Sequence, residues 1–105
     1  MHLKLRLLSL FIGFSSLSAQ TGSIGGFVKQ ENGEAIPFAN VYLANAKMGA
    51  VSGNDGKFQI EKVPVGGQSV IAQFIGFERA VKKVQVTEGD TADIILILKE
   101  SDLML

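Results

Sequence analysis

From Thr21 onward the sequence keeps a period of two. Apolar residues recur at alternate positions in short runs, and Gly, Asn, Asp and Pro separate the runs. Such alternation fits half-buried strands, because successive side chains of a strand point to opposite faces of its sheet. No stretch after residue 20 carries the spacing of an amphipathic helix. A chain patterned in this way is restricted to all-β folds.

The runs can be taken in order. Ser23 to Gln30 alternates, with Ile24, Gly26 and Val28 on one face and Gly25 and Phe27 on the other. Glu31-Asn32-Gly33-Glu34 reads as a turn, since Asn-Gly supplies the positive φ of a tight hairpin. Ala35-Ile36-Pro37 leads into Phe38 to Ala44, where Ala39, Val41 and Leu43 share one face and Asn40 and Tyr42 the other. Pro37 lacks an N–H and belongs at a strand's start or edge. Met48 to Ser52 is ended by Gly53-Asn54-Asp55-Gly56, with Asp55-Gly56 as a hairpin turn and Phe58 and Ile60 resuming the core face. Val63 to Gly67 is a turn-rich connection. Ser69 to Phe77 is the longest strand candidate, with Val70, Ala72 and Phe74 on one face and Gly76 as a bulge or bend. Val81, Val84 and Val86 form the next run, and Glu88-Gly89-Asp90 turns the chain. Ala92 to Leu98 closes the set, with Ile94, Leu96 and Leu98 on one face and Ile95 and Ile97 on the other. The expectation is a seven-stranded antiparallel Greek-key β-sandwich of about seven short strands in two packed sheets, with a filled core rather than a ligand cavity.

The N-terminus follows a different rule. Lys4 and Arg6 are basic, Leu7 to Leu17 reads LLSLFIGFSSL, and small residues Ser18 and Ala19 precede polar Gln20 and Thr21. That order predicts a signal-peptide helix over residues 1–19, cleaved after Ala19 or, alternatively, after Ser18. The apolar run is shorter than the roughly 18–20 residues of a spanning helix. No Cys follows it to carry a lipid anchor. The expected organisation is a signal peptide at 1–19, a sandwich domain at 20–98 and a tail at 99–105.

Charge and chemistry narrow the function. The chain has 10 Lys+Arg and 10 Asp+Glu. Removing Lys4 and Arg6 with the signal leaves 8 basic residues against those 10 acidic ones, a net of −2. Nucleic-acid binding wants a clustered basic surface, and Lys82-Lys83 reads better as a solvated strand edge. There is no Cys, and the single His, His2, leaves with the signal. Ser-His-Asp and Cys-His catalysis are therefore unavailable, and disulfides cannot supplement a core that roughly 85 residues supply only marginally. Glu61, Glu78 and Asp93 are scattered where solvated positions are the default, so no paired-carboxylate site is expected. Asn54 and Asp55 offer too few oxygen ligands for calcium and fit a turn. Gly25-Gly26 and Gly66-Gly67 are followed by strand signals, not by the helix a phosphate cradle needs. Phe38, Tyr42 and Phe77 are candidates for an exposed aromatic patch. No catalytic, cofactor-binding or metal-binding residue is expected, and no cofactor.

The motifs taken together resemble a known family. Ile24-x-Gly26-x-Val28, Asn32-Gly33-Glu34, Ile36-Pro37-x-Ala39-Asn40-Val41-x-Leu43, Gly49, Asn54-Asp55-Gly56-x-Phe58-x-Ile60, Val63-Pro64-x-Gly66 and Phe74-Ile75-Gly76-Phe77 follow one another as in the carboxypeptidase regulatory-like domain. The resemblance covers nearly all of Thr21 to Leu98 and implies a transthyretin-like sandwich. The zinc ligands of the carboxypeptidases belong to a separate catalytic domain and have no counterpart here. The Ala-Asn-Val and Phe-Ile-Gly-Phe segments look like those of the N-terminal extension of TonB-dependent outer-membrane receptors of the Bacteroidetes type. Leu98-Lys99-Glu100-Ser101-Asp102-Leu103-Met104-Leu105 looks like the approach to a receptor plug domain, although plug and barrel are absent from the sequence. The resemblance implies a non-catalytic accessory domain at the periplasmic face of the outer membrane, partnered by a receptor plug or barrel or by a periplasmic protein. The alternative is a free-standing secreted or cell-surface binding module.

Overall fold

A computed structural model of the protein describes residues 20–102. The predicted signal-peptide helix at 1–19 and the last three residues, Leu103 to Leu105, lie outside the described residues. The chain forms seven strands: β1 (Thr21–Gln30), β2 (Asn40–Leu43), β3 (Gly49–Val51), β4 (Lys57–Pro64), β5 (Gly66–Gln73), β6 (Ala80–Val86) and β7 (Thr91–Leu98). They make a three-stranded sheet of order β4-β1-β7 and a four-stranded sheet of order β3-β2-β5-β6. The expected all-β sandwich is the observed fold.

The core follows the alternation. Ile24, Val28, Phe58, Ile60, Val63, Leu96 and Leu98 from the three-stranded sheet meet Val41, Leu43, Val70, Ala72, Val84 and Val86 from the four-stranded sheet. Each large side chain removed from water in this way contributes about 1.5–3 kcal/mol of transfer free energy. Ile36 and Ala39, from the connection between the sheets, complete the same cluster.

Three details differ from the sequence reading, and a fourth adds to it. First, β1 and β7 pair in parallel, from Ser23 beside Thr91 to Gln30 beside Leu98, while the remaining pairings are antiparallel. The physical reason is counting. Each strand reverses the direction of the last, so the first and seventh run the same way, and their adjacency makes a parallel ladder. Second, the Asp55-Gly56 turn does not close a hairpin within one sheet. It carries the chain from β3 in one sheet to β4 in the other. Third, the long strand candidate ends at Gln73. Gly76 has φ 90° and Phe77 N–H donates to the Phe74 carbonyl at 3.1 Å, so Phe74–Phe77 is a turn. Positive φ is uncommon in a strand. Fourth, Val81 is exposed, because it pairs with Ile71 on the outer face while Val84 and Val86 face inward.

Strand direction gives the sandwich two distinct poles. Thr21 enters at one pole, beside the Thr87–Asp90 turn, whose Gly89 N–H donates to the Thr21 carbonyl. β7 leaves at the opposite pole, beside Gln30. The backbone ladder does not stop at Leu98. Glu78 N–H donates to Lys99 O at 2.7 Å, Phe77 bridges Glu100, and Ser101 N–H donates to Gly76 O at 2.9 Å. The outgoing chain is thus stitched to the segment between β5 and β6.

Candidate functional site: the exit pole

The connections that meet at the exit pole are built from the turn residues upward. Glu31-Asn32-Gly33-Glu34 is a turn, as its composition predicts. Gln30 N–H donates to Glu34 O at 2.8 Å, Gly33 has φ 92°, and Asn32 Oδ1 accepts from Glu34 N at 2.9 Å. The chain then crosses to the second sheet through Ile36-Pro37-Phe38-Ala39. Pro37 followed by a residue at positive φ is the arrangement of a type II turn, whose third position favours Gly. Here that position is Phe38, at φ 63°.

Ser52 holds this turn. It is 1% exposed, and its hydroxyl donates to Ile36 O at 2.7 Å while accepting from Ala39 N at 2.8 Å. Its carbonyl accepts from Phe38 N at 2.8 Å, and its own N–H donates to Ala39 O at 2.9 Å. A buried hydroxyl in an apolar core is costly unless bonded; this one is bonded in both senses. The clamp keeps Phe38 in a conformation that a bulky residue rarely adopts.

The result is an apolar surface. Ile75, at the tip of the Phe74–Phe77 turn, is 89% exposed and Phe38 is 62% exposed, the two highest values among the exposed large apolar side chains. Both sit at this pole. Asn40 pairs with Gln73, Phe38 lies two residues before Asn40, and Ile75 lies two residues after Gln73. Phe74 and Phe77 support the tip from below, ring centroids 6.1 Å apart and planes tilted by 38°. Beside them, Gln30, Glu31, Asn32, Phe77, Leu98, Lys99, Glu100 and Asp102 line an open hollow of about 360 Å³.

Of the expected aromatic patch, Phe38 and Phe77 share this pole, with Phe77 half-buried. Tyr42 does not join them; it lies half-buried on the outer face of the four-stranded sheet, paired with Ile71 and Gly49. Ile75, absent from the predicted patch, is its most exposed member. Its sequence signal was the Gly that follows it, which ends the strand and lifts Ile75 to a turn tip.

The other candidates follow their turn or strand readings with one exception, Gly66-Gly67. Asp55 Oδ1 accepts from Lys57 N at 3.0 Å, so the Asp55 carboxylate serves a turn. Gly25-Gly26 lies within β1; Val63 to Gly67, expected as a turn-rich connection, is instead strand on both sides of Val65, with Val63-Pro64 ending β4 and Gly66-Gly67 opening β5 opposite Val86 and Gln85. Glu61 sits on β4 and accepts from Ser23 Oγ at 2.8 Å and from Gln59 Nε2. Asp93 sits on β7, across β1 from Gln59 and not from Glu61, so the two carboxylates are more than two strand spacings, over roughly 9–10 Å, apart. Glu78 is at the exit pole. The three carboxylates are not brought together. Among the described residues no group of three or more His, Cys, Asp or Glu could hold a metal ion.

The fold and its connections define a two-sheet all-β sandwich module. The chain belongs to the CarboxypepD_reg-like domain family, whose model matches residues 24–105. No curated protein matches the chain in sequence. Among solved structures it is similar to the Bacillus anthracis TIE protein, with TM-score 0.66 and 25% identity over 77% of this chain and 17% of that one. A type II cohesin–X-dockerin complex from Acetivibrio cellulolyticus matches with TM-score 0.67 and 14% identity, over 80% of this chain and 61% of that one. The Streptococcus agalactiae minor pilin GBS52 matches with TM-score 0.64 and 12% identity, over 83% and 48%. The chain therefore spans less than two thirds of each of these proteins.

Proposed function

We propose that this chain works as a non-catalytic, exported accessory module at the periplasmic face of an outer membrane, forming the N-terminal extension of a TonB-dependent nutrient receptor. One observation carries the reading. The chain crosses the sandwich from pole to pole, and the pole where it leaves is the one that exposes Phe38 and Ile75. Polypeptide following Ser101 begins beside that apolar surface, because Ser101 is bonded to Gly76. A following plug domain would bury the surface and be held close by the stitched ladder. Family membership, the predicted signal peptide and the resemblance of the 98–105 segment support the same reading.

The test is the DNA beyond the Leu105 codon. The expected finding is sequence encoding a plug and a barrel, in frame or beyond a frameshift. A stop codon followed by an unrelated gene overturns the receptor reading. The exposed pole then favours the second reading, a free-standing binding module of the periplasm or cell surface, whose purified form is expected to retain a defined protein partner.

A further inference from the structure

Four asparagines occur in the chain, and only Asn32 is followed by glycine; Asn40, Asn45 and Asn54 precede Val41, Ala46 and Asp55. Asparagine is chemically labile, because the backbone nitrogen of the next residue can attack its side-chain Cγ. A Cβ on that next residue obstructs the approach. Gly33 has none, is exposed, and stands in open space: apart from its chain neighbours, no heavy atom lies within 4 Å of where a Cβ would be.

The turn places a second group for the same reaction. Asn32 Oδ1 accepts a hydrogen bond from Glu34 N at 2.9 Å. Negative charge gathers on Oδ1 as a nitrogen adds to Cγ, and a donor already aimed at that oxygen lowers the barrier. One contact works against the attack. Gly33 N–H donates to Gln30 O at 2.9 Å, so the nitrogen must first be released. That bond lies in an exposed turn whose hairpin is short. Behind it stand Gln30 N–H on Glu34 O and one isolated bridge, Lys29 beside Ala35. Exposed turns of this kind open at small free-energy cost.

The other asparagines are worse placed. Val41 is β-branched and buried in β2, laddered to Ala50 on one side and Ala72 on the other. Ala46 packs against the core. Asp55 carries a negative charge close to its own N–H, which opposes loss of that proton.

We propose that Asn32 is a modification site, converting spontaneously to aspartate and isoaspartate through a cyclic imide. Gly33 N gives its proton to hydroxide and bonds to Cγ. The Cγ–Nδ2 bond breaks, and ammonia leaves with a proton taken from water, which regenerates hydroxide. Water then opens the ring. Cleavage of the new N–Cγ bond yields aspartate. Cleavage of the original bond between Gly33 N and the Asn32 carbonyl carbon yields isoaspartate, with the main chain rerouted through Cβ and Cγ. The sum is asparagine plus water to aspartate plus ammonia, with no oxidation or reduction. Asn32 lines the exit-pole hollow together with Glu31, Glu100 and Asp102, where Lys99 is the basic residue. Conversion adds a further carboxylate to that lining. The chemistry needs no partner, so it stands or falls separately from the receptor reading.

The test is peptide mapping by mass spectrometry of the purified full chain, kept folded in mildly acidic and in mildly alkaline buffer. The peptide holding Asn32 is expected to gain the mass difference between OH and NH2 and to split into two isomers, aspartate and isoaspartate. The gain is expected to be faster in alkaline buffer, because the deprotonated nitrogen is the attacker. Peptides holding Asn40, Asn45 and Asn54 are expected to keep their mass over the same period. Asn32→Gln, whose ring would need six members and closes far more slowly, is expected to abolish the gain, with unchanged circular dichroism verifying the fold. An Asn32 peptide that keeps its mass while a synthetic peptide of residues 30–35 converts overturns the proposal. So does earlier conversion at another asparagine, an equal rate in both buffers, or a product that is aspartate alone, which would mean direct hydrolysis without the ring.

Discussion

Gly26 on β1 lies directly against Ile94 on β7: a Cβ at Gly26 would stand 1.7 Å from the Ile94 carbonyl oxygen. Gly26 also has φ 153°. The parallel ladder that joins the first strand to the last depends on this missing side chain. Gly26→Ala must push β1 and β7 apart or force the backbone into a strained basin. The expected loss is large, about 3 kcal/mol or more, since it combines overpacking with backbone strain. Urea denaturation of Gly26→Ala measures it, and a loss below the ordinary surface range would show that the two strands are not locked at this point.

Ser52→Ala tests the clamp on the Ile36–Ala39 turn. The variant removes a hydroxyl from a site that is otherwise closed and leaves Ala39 N–H and Ile36 O without that partner. Leaving buried polar groups unpaired costs about 1–3 kcal/mol. The same denaturation series reads it out.

Phe38 and Ile75 invert the usual relation between side chain and stability. Phe38 holds a conformation that costs a non-Gly residue about 1–2 kcal/mol, yet it is largely exposed and packs little. Phe38→Gly removes that strain but adds chain entropy of about 0.5–1 kcal/mol to the unfolded state. The net expectation is unchanged stability or a gain of up to about 1.5 kcal/mol. Ile75→Asp is expected within about 0.5 kcal/mol of wild type, as for other surface changes. Thermal melts of both variants check this. A clear destabilisation would mean that the side chains serve the fold and not a partner.

Ile36→Ala is expected to cost about 2–5 kcal/mol, the range for truncating a buried aliphatic side chain. Ile36 is 2% exposed but lies in a connection, outside any strand. Chemical denaturation of the variant provides the value.

Ile36 also shows where the sequence stops being readable. Ala39, Val41 and Leu43, or Ile94, Leu96 and Leu98, reveal their buried face through period-two alternation, so the sandwich and most of its core can be read in advance. Ile36 precedes Pro37 in a turn-forming stretch, and alternation says nothing about a residue outside a strand. It is drawn into the core by the Ser52 clamp, a contact between residues far apart in sequence. The parallel β1–β7 pairing is invisible for a related reason: a strand's own residues do not name its neighbour. At the candidate site, Phe38 and Phe77 were legible as aromatics near turn signals. The prominence of Ile75 was hidden, because Ser69 to Phe77 looks like one long apolar strand until the positive φ of Gly76 ends it.

The exit pole, with Phe38 and Ile75 at its surface, is expected to face the polypeptide this module serves. Photo-crosslinking in intact cell envelopes tests it most directly, with a photoreactive phenylalanine analogue replacing Ile75 and, as a control, Glu88 at the entry pole. Labelling of an outer-membrane receptor plug from position 75 and not from position 88, reduced by Phe38→Asp, is the expected result. Equal labelling from both poles, or none from position 75, contradicts the claim.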